Sequence, residues 1–193
     1  MFVSLEQLQQ AVERGKTFSY LLFWGHRPQF PGREDASCLS QWFPAGFEVE
    51  GIYYPTAEHY MMAEKARTFH DAEIERSVLQ AGGPEEAKKL GRQIARFDNQ
   101  VWEQYRFDVV VRGNIAKFTQ NEGLRQYLIS TGSKILAEAS PIDEVWGIGL
   151  SARDSDAYNP LKWRGLNLLG FALMAVRVAI VSDVSSHVAV DLP

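Results

Sequence analysis

The chain has 193 residues, of which 46% are hydrophobic and 23% charged, a composition that fits a globular protein and excludes a disordered or fibrous one. Its net charge of −4 argues against a large basic surface for duplex nucleic acid, although it leaves room for a local basic groove. The single cysteine, Cys38, and a first segment without the pattern of a secretory leader favour a cytoplasmic location. The longest uncharged apolar stretch, residues 168–176, is too short to cross a bilayer, so we expect no membrane association.

The first third of the chain predicts one helix and a few strands. Apolar residues at helical spacing indicate a short helix over residues 4–14, and an aromatic-rich run predicts a buried strand over 18–24. Residues 25–41 contain two prolines and two glycines and read as a long loop, which is often functional in an ordered protein. Residues 47–54 alternate around Glu50-Gly51, which predicts a small hairpin.

Four helices are predicted in the middle of the chain. Thr56 is a candidate cap for a helix that runs to about residue 66, and Pro84 stands at the first position of a helix whose apolar stripe ends at Phe97. A third helix spans about residues 101–118, and Asn121 is a candidate cap for a fourth that stops at Gly132.

The last third predicts one extended segment and one apolar helix. Residues 134–146 look extended, residues 165–180 are nearly all apolar and read as a core helix, and residues 182–193 resemble a polar tail. No internal repeat is visible, so we expect one domain over residues 1–181. Because helices outnumber strands, the predicted class is α+β, mainly α: a compact helical domain with a small β-hairpin or sheet.

The common catalytic and metal-binding templates are absent from the sequence. It contains no GxxxxGK[ST], GxSxG, HExxH or CxxC motif, and its four histidines share no ligand spacing. We therefore expect neither a metal nor a cofactor. Metal-free hydrolysis usually relies on carboxylates, with aromatic and cationic groups that hold the substrate.

Glu58 and Lys65 are the first candidate pair. On the predicted helix they lie two turns apart on one face, close enough to reach one ligand between them. A purely structural interpretation is the commoner outcome for such spacing: Glu58 would complement the helix dipole and Lys65 would lie in solvent. The spacing alone leaves both interpretations open.

Tryptophans in polar surroundings are a second candidate feature. Trp102 stands at a predicted helix start, and Trp146 precedes Gly147, where a ligand could approach the backbone. Tryptophan is more often a core residue than a platform for a ligand. Asn167 interrupts an apolar helix and, if buried, must bond either the neighbouring chain or a ligand, with the structural alternative slightly favoured.

Several motifs together resemble one known family, the YbiA-like or NADAR superfamily. The resemblance runs from about residue 18 to residue 180, and its motifs occur in order. They are Leu-Ser-Gln-Trp42, Tyr-Pro-Thr-Ala-Glu58-His-Tyr-Met-Met-Ala-Glu-Lys65, Asp98-Asn-Gln-Val-Trp102, Ala116-Lys-Phe, Asp143-Glu-Val-Trp-Gly-Ile-Gly and Asn167-Leu-Leu-Gly-Phe-Ala-Leu-Met. The resemblance implies a compact, mostly helical domain that takes a nucleotide-like substrate and hydrolyses the N-glycosidic bond between a ribose and a base.

Two substrate classes are implied by this resemblance. Some members resemble enzymes that cleave ribosylamino intermediates of riboflavin biosynthesis, and others remove ADP-ribose from guanine in single-stranded nucleic acid, a DNA repair activity. Two positions depart from the family pattern: Gln41, where asparagine is frequent, and Ile148, where some members have a polar residue. Both departures bear on the substrate more than on the reaction.

The resemblance also implies site residues. Four positions match the family's functional residues: Glu58, Lys65, Trp102 and Asp143. We expect catalytic roles for Glu58, Asp143 and Lys65. We expect substrate binding at Trp102, Trp146, Gly147, Gln41, Tyr60 and Asn167. The hydrolysis passes through an oxocarbenium-like state, so Glu58 would stabilise positive charge or activate water. Lys65 would anchor a phosphate or a hydroxyl, and Asp143 would orient water or a sugar hydroxyl. Trp102 or Trp146 would stack on the base.

Two further functions remain as alternatives. A module that binds NAD or ADP-ribose without turnover would need nearly the same contacts, and a structural or interaction domain would show an exposed apolar patch instead. A basic rim for single-stranded nucleic acid is a weaker possibility, because scattered cations on helices are usually solvated. Its members would be Arg92, Arg96, Arg106, Arg112 and Lys117. The sequence says nothing about the oligomeric state.

Overall fold

The computed structural model describes residues 2–30 and 32–188, with side chains up to residue 182. Over these residues the fold is α+β and mainly α, as predicted. Its elements are α1 (Leu5–Glu13), β1 (Tyr20–Phe23), β2 (Phe47–Val49), β3 (Ile52–Tyr54), α2 (Ala57–Thr68), α3 (Ala72–Leu79), α4 (Pro84–Gly91), α5 (Asn99–Gln120), α6 (Glu122–Ser130), β4 (Ile135–Glu138) and α7 (Leu168–Val188). Short 3-10 helices lie at Ala36–Leu39, Ser155–Tyr158 and Pro160–Lys162.

The strands form two small sheets. β1 pairs with β4 in parallel, so the carboxyl ends of both strands meet at one edge, where Phe23 lies opposite Glu138. β2 and β3 form the predicted hairpin, and its two turn residues, Glu50 and Gly51, have φ angles of 52° and 77°. Two successive positive φ angles are the signature of a type I′ turn, whose twist matches that of the strands it joins.

Helix α2 lies in the middle of the molecule. Thr56 caps it, because its hydroxyl accepts a hydrogen bond from the backbone N–H of His59 at 3.4 Å. The helix packs against α3, α4 and α5, and the residues of its first two turns are buried on every side. A polar side chain in the first turn of α2 is therefore held inside the molecule.

Helices α5 and α7 pack against each other, and α7 also covers β4. The core between these elements is apolar and includes Phe118, Leu136, Leu169 and Leu173. Among the described residues, no helix combines the length and the apolar character that crossing a membrane requires.

Some predicted boundaries differ from the structure. The sequence analysis missed α3, and α4 ends at Gly91 instead of continuing to Phe97. Of the extended segment 134–146 only Ile135–Glu138 is a strand, because the residues that follow turn away from β1 and wrap back over the end of β4. Helix α7 begins at Leu168 and reaches Val188, so it enters the segment 182–193 that was predicted as a polar tail. Residues 189–193 lie outside the described residues.

Candidate active site

Three acidic side chains from different parts of the chain meet at the carboxyl end of β4. They are Glu58 at the start of α2, Glu138 at the last position of β4, and Asp143 in the loop that follows, and we call them the carboxylate cluster. The charge of Asp143 acts on the pKa of Glu58, and the charges of Asp143 and Glu58 act on that of Glu138, as expected for carboxyls that lie near one another. Glu58 and Asp143 were predicted as catalytic residues, and the structure brings them together.

Glu58 is almost completely buried, with 2% of its surface exposed. Its backbone N–H donates to the carbonyl of Gln41 at 3.0 Å, which fixes the first turn of α2 against the preceding loop. Burial raises the pKa of its carboxyl to about 7; Lys88, the indole N–H of Trp42 and Arg92 favour the ionised form, whereas Asp143 opposes it. Within the described part of the chain, Oε1 of Glu58 has no hydrogen-bond partner.

Glu138 resembles Glu58 in its surroundings. Its pKa is raised to about 8, first by burial and then by the negative charges of Asp143 and Glu58, while Lys88 lowers it. Its Oε2 atom is buried and, among residues 2–30 and 32–182, meets no hydrogen-bond partner. Two neighbouring carboxyls with raised pKa values can hold one proton between them near neutral pH.

The sequence analysis did not select Glu138, although one signal was present. The segment Ile135-Leu-Ala-Glu-Ala-Ser140 places a single carboxylate in an otherwise apolar strand. A charged residue in a buried strand needs a partner or a function, and the carboxyl ends of parallel strands are a common place for sites.

Asp143 has one structural and one outward-facing oxygen. Oδ1 accepts hydrogen bonds from the backbone N–H groups of Val145 at 3.0 Å and Trp146 at 2.8 Å, so it shapes the turn that carries Trp146. Oδ2 lies 4.0 Å from Nζ of Lys88 on α4, and the two side chains are 25% and 36% exposed, respectively. Asp143 and Lys88 therefore form the open side of the carboxylate cluster.

Trp42 provides an aromatic ring at the cluster. It is half-buried, its ring centroid lies 5.7 Å from that of His26, and Nζ of Lys88 lies 5.9 Å from the ring. In the sequence, Trp42 stood out only as part of a family motif, and Lys88 was not selected. Nothing local distinguishes Lys88 from Lys89, because only the packing of α4 against α2 decides which of them faces the cluster.

Lys65 is not free to act in the way that its spacing from Glu58 suggested. Its Nζ donates to the carbonyl of Gly91 at 3.0 Å, at the end of α4, and lies 4.0 Å from the centroid of the Phe97 ring. Burial lowers its pKa, and the charge of Glu58 raises it. Lys65 thus contributes positive charge near Glu58 while it ties α2 to α4.

Two predicted substrate-binding residues lie in the core instead. Tyr60 packs edge-on against Tyr54 with the ring centroids 5.1 Å apart, and a Cβ on Gly113 would come within 2.4 Å of its ring. It therefore faces the hairpin and α5, on the other side of α2 from Glu58. Trp102 is 6% exposed and belongs to the hydrophobic core.

Gln41 lies beside Glu58 but is engaged in an internal network. Its side-chain oxygen accepts from Nδ2 of Asn114 at 2.8 Å. Lys117, also on α5, donates to the carbonyls of Cys38 at 2.7 Å and Ser40 at 2.8 Å, and it is completely buried. We call Gln41, Asn114 and Lys117 the loop anchor, because they fix the loop that carries Trp42 and accepts the N–H of Glu58.

Asn167 is buried and bonds the neighbouring chain, which is the structural one of the two alternatives considered for it. It adopts a φ of 54°, its Nδ2 donates to the carbonyl of Leu136 at 2.9 Å, and its Oδ1 accepts the backbone N–H of Glu138 at 3.0 Å. Asn167 therefore satisfies the free edge of β4 and holds the backbone of Glu138 in place.

Gly147 is required by packing, since a Cβ there would lie 2.8 Å from the carbonyl oxygen of Glu138 and 2.9 Å from that of Asp143. Trp146 is half-buried and packs against the core. Both residues lie in the turn that brings Asp143 over the end of β4, so they shape the site from behind.

A continuous basic rim is not present at the five positions considered for it. Lys117 is buried, Arg112 pairs with Glu50, and Arg106 lies 3.4 Å from Glu103. Only Arg92, which favours the ionised form of Glu58, acts on the carboxylate cluster.

A cavity of about 460 Å³ opens at the other end of the β1–β4 sheet, near the amino ends of the strands. It is lined by Phe18, Ile135 and Arg177, among others, and Arg177 donates to Thr131 and to the carbonyl of Lys134. The cavity contains no carboxylate, and we place the candidate chemistry at the carboxylate cluster. No group of three or more His, Cys, Asp or Glu residues in the described ranges is arranged to hold a metal.

The chain is similar to known proteins over most of its length. The model of the NADAR domain family matches residues 22–181. The chain is 38% identical over 167 residues to "N-glycosidase R617" of Acanthamoeba polyphaga mimivirus, covering 84% of this chain and 96% of the relative. It is 32% identical over 144 residues to "Riboflavin biosynthesis protein VVA0006" of Vibrio vulnificus (strain YJ016), covering 75% of this chain and 35% of that protein.

One solved structure has the same fold. The NMR structure of the E. coli protein YbiA matches with a TM-score of 0.67 at 23% sequence identity, and the match covers 95% of both chains.

Proposed function

The chain belongs to the NADAR domain family, and from that membership we propose that it is a hydrolase that cleaves the N-glycosidic bond between a ribose and a base. One observation carries the proposal: Glu58 is a buried carboxyl with an oxygen that no described residue bonds, and it stands beside two further acids and Lys88. A protein keeps such a costly group for chemistry more often than for stability.

The geometry supports a division of labour for this reaction. As the ribose C1–N bond lengthens, positive charge develops on the ring, and an ionised Glu58 stabilises it or accepts a proton from the attacking water. The free oxygen of Asp143 orients water or a sugar hydroxyl at the open side. Trp42 bonds Glu58 through its indole N–H and provides the ring on which a base stacks, since Trp102 is buried and Trp146 packs against the core.

A nucleotide-like substrate fits the charges at this side. Lys88 and Arg92 lie one helical turn apart at the end of α4, and both act electrostatically on Glu58. They supply the positive charge that a phosphate group requires, which Lys65 cannot do while it bonds Gly91.

We retain two substrate classes within this proposal. One is ADP-ribose attached to guanine in single-stranded nucleic acid, and the other is a ribosylamino intermediate of riboflavin biosynthesis. The similarity to the riboflavin biosynthesis protein of Vibrio vulnificus supports the second class. We favour neither class over the other, and the expected cytoplasmic location is compatible with both.

Mass spectrometry of the reaction products tests this function. The purified protein, Glu58→Gln and the matched control Glu73→Gln, an exposed carboxylate on α3, are each given ADP-ribosylated guanine in single-stranded DNA and, separately, ribosylamino-pyrimidine phosphates. We expect the unaltered protein and the control to hydrolyse one substrate class, releasing either ADP-ribose from the guanine of the DNA or the free pyrimidine from its ribose phosphate. Glu58→Gln should be slower by about 10³-fold and should still bind, because general base and electrostatic assistance contribute about 10²–10⁴-fold.

Other outcomes would decide against the proposal. If the unaltered protein hydrolyses neither substrate while all three proteins bind ADP-ribose, the protein is a binding module. If Glu58→Gln retains full activity, hydrolysis is carried by another group.

A further inference from the structure

Cleavage of a ribose–nitrogen bond requires a proton donor as well as a charge stabiliser. The bonding electron pair leaves with the nitrogen, the water oxygen bonds C1, one water proton leaves the attacking oxygen, and one proton must reach the departing nitrogen. An amine or purine nitrogen is a poor leaving group unless it is protonated as the bond breaks. If the protein has the proposed function, on which this inference rests, a group of the chain must donate that proton.

We propose that Glu138 is this general acid, and that it works as a pair with Glu58 across the substrate. Glu58 accepts the proton of the attacking water as the new C1–O bond forms, and Glu138 gives its proton to the nitrogen as the C1–N bond breaks. After one turnover Glu58 holds a proton and Glu138 does not, and exchange with solvent restores the starting state.

The backbone of Glu138 is held on both sides. Its N–H donates to Asn167 at 3.0 Å, and its carbonyl accepts from the N–H groups of Ser140 and Ile148, both at 2.9 Å. With its backbone fixed at the last position of β4, the side chain has little freedom other than its own rotamers, which is the rigidity that a catalytic group needs.

The side chain of Glu138 has an oxygen that the protein leaves unused. Its Oε2 is buried without a hydrogen-bond partner among the described residues, as is Oε1 of Glu58. An unpaired buried oxygen costs free energy, so a pair of them in one place points to a ligand that completes both.

The charges around the pair assign the proton to Glu138. The groups that act on it are Asp143 of the following loop, Lys88 of α4 and Glu58 of α2. Glu58 receives stabilisation of its ionised form from Lys88, Trp42 and Arg92, whereas for Glu138 only Lys88 does so. The pKa values of about 7 for Glu58 and about 8 for Glu138 agree with this order, with the proton residing mainly on Glu138 near pH 7.5.

The test is the pH dependence of kcat for the unaltered protein, Glu138→Gln, Glu138→Asp and the control Glu73→Gln, on whichever substrate the protein hydrolyses. We expect the unaltered protein and the control to lose activity above about pH 8, as the acid ionises. Glu138→Gln should lose about 10²–10⁴-fold in kcat with little change in KM, and its residual activity should no longer fall on the alkaline side. Glu138→Asp should retain the alkaline fall, because it keeps an acid.

Different results would contradict the proposed function and the role of Glu138. If the unaltered protein hydrolyses neither substrate class, the proposed function is wrong. If it is active, and Glu138→Gln keeps its kcat within about threefold and its alkaline fall, the function stands and Glu138 is not the acid. A Glu138→Gln protein with an unchanged unfolding midpoint and a low kcat separates a chemical loss from a structural one.

Discussion

Two buried polar regions lie on either side of the loop that carries Trp42, and they differ in how their groups are satisfied. In the loop anchor, Lys117 donates to two carbonyls and Gln41 accepts from Asn114. In the carboxylate cluster, Glu58 and Glu138 each keep a buried oxygen that no described residue bonds. Among the described residues, the loop anchor leaves one amide oxygen unpaired, Oδ1 of Asn114, whereas the carboxylate cluster leaves two carboxyl oxygens unpaired in one place. Burial alone therefore does not identify a site, and neither does a single unpaired atom, whereas two neighbouring unpaired carboxyl oxygens do.

The largest effect is expected where the loop anchor is broken. Lys117→Met removes a donor from the carbonyls of Cys38 and Ser40, and the carbonyl of Ser40 keeps the N–H of Phe43 at 3.2 Å. A buried group left unpaired costs about 1–3 kcal/mol, so we expect the unfolding free energy to fall by about this amount. Chemical denaturation measures this loss. A change below about 0.5 kcal/mol would show that Lys117 does not hold the loop.

A smaller effect, on activity rather than stability, is expected at the open side of the carboxylate cluster. Lys88 faces Asp143 and Trp42, whereas its neighbour Lys89 is exposed. Lys88→Ala should lower kcat/KM by about 10–30-fold, because it removes a charge-assisted contact to the substrate. Lys89→Ala is the matched control and should change kcat/KM less than twofold. Equal losses in the two variants would mean that only the overall charge of α4 matters.

The smallest effect has the opposite sign. The pKa of Glu58 is raised from 4.5 in the unfolded chain to about 7 in the folded one, so the folded state holds more protons between these values. The penalty for its charge is absent below about pH 4.5, grows as the pH rises, and is complete above about pH 7. Glu58→Gln should therefore be more stable by about 1–2 kcal/mol at pH 8 and equal to the unaltered protein near pH 4.5.

Thermal unfolding of both proteins across this pH range checks the prediction. A Glu58→Gln variant that is less stable than the unaltered protein at pH 8 would show that the ionised carboxylate stabilises the fold instead of destabilising it.

Local signals account for the parts of the fold that were predicted. The cap at Thr56 and the Glu50-Gly51 turn act within a few residues, and α2 and the hairpin formed where these signals placed them. Helix α3 was missed although Ile74, Val78 and Leu79 stand at helical spacing, because it spans only eight residues and the pattern has no room to repeat.

Only some residues of the site could be predicted from the sequence, because contacts between residues far apart in the chain position the others. Glu138 enters it through the parallel pairing of β1 with β4 and through Asn167, 29 residues further along the chain. Lys65 lies on the predicted face of α2, but its amine donates a hydrogen bond to the carbonyl of Gly91 at the end of α4. Spacing along one helix cannot show which neighbouring element will use a side chain.

The most direct test of the account is a carbon NMR titration of the glutamate carboxyls, assigned with Glu58→Gln and Glu138→Gln. The account predicts two carboxyls that titrate near pH 7 and 8, and a lower midpoint for Glu138 once Glu58 no longer carries charge. If both carboxyls instead titrate near the ordinary value of 4.5, no proton is shared at neutral pH and the account of this site is wrong.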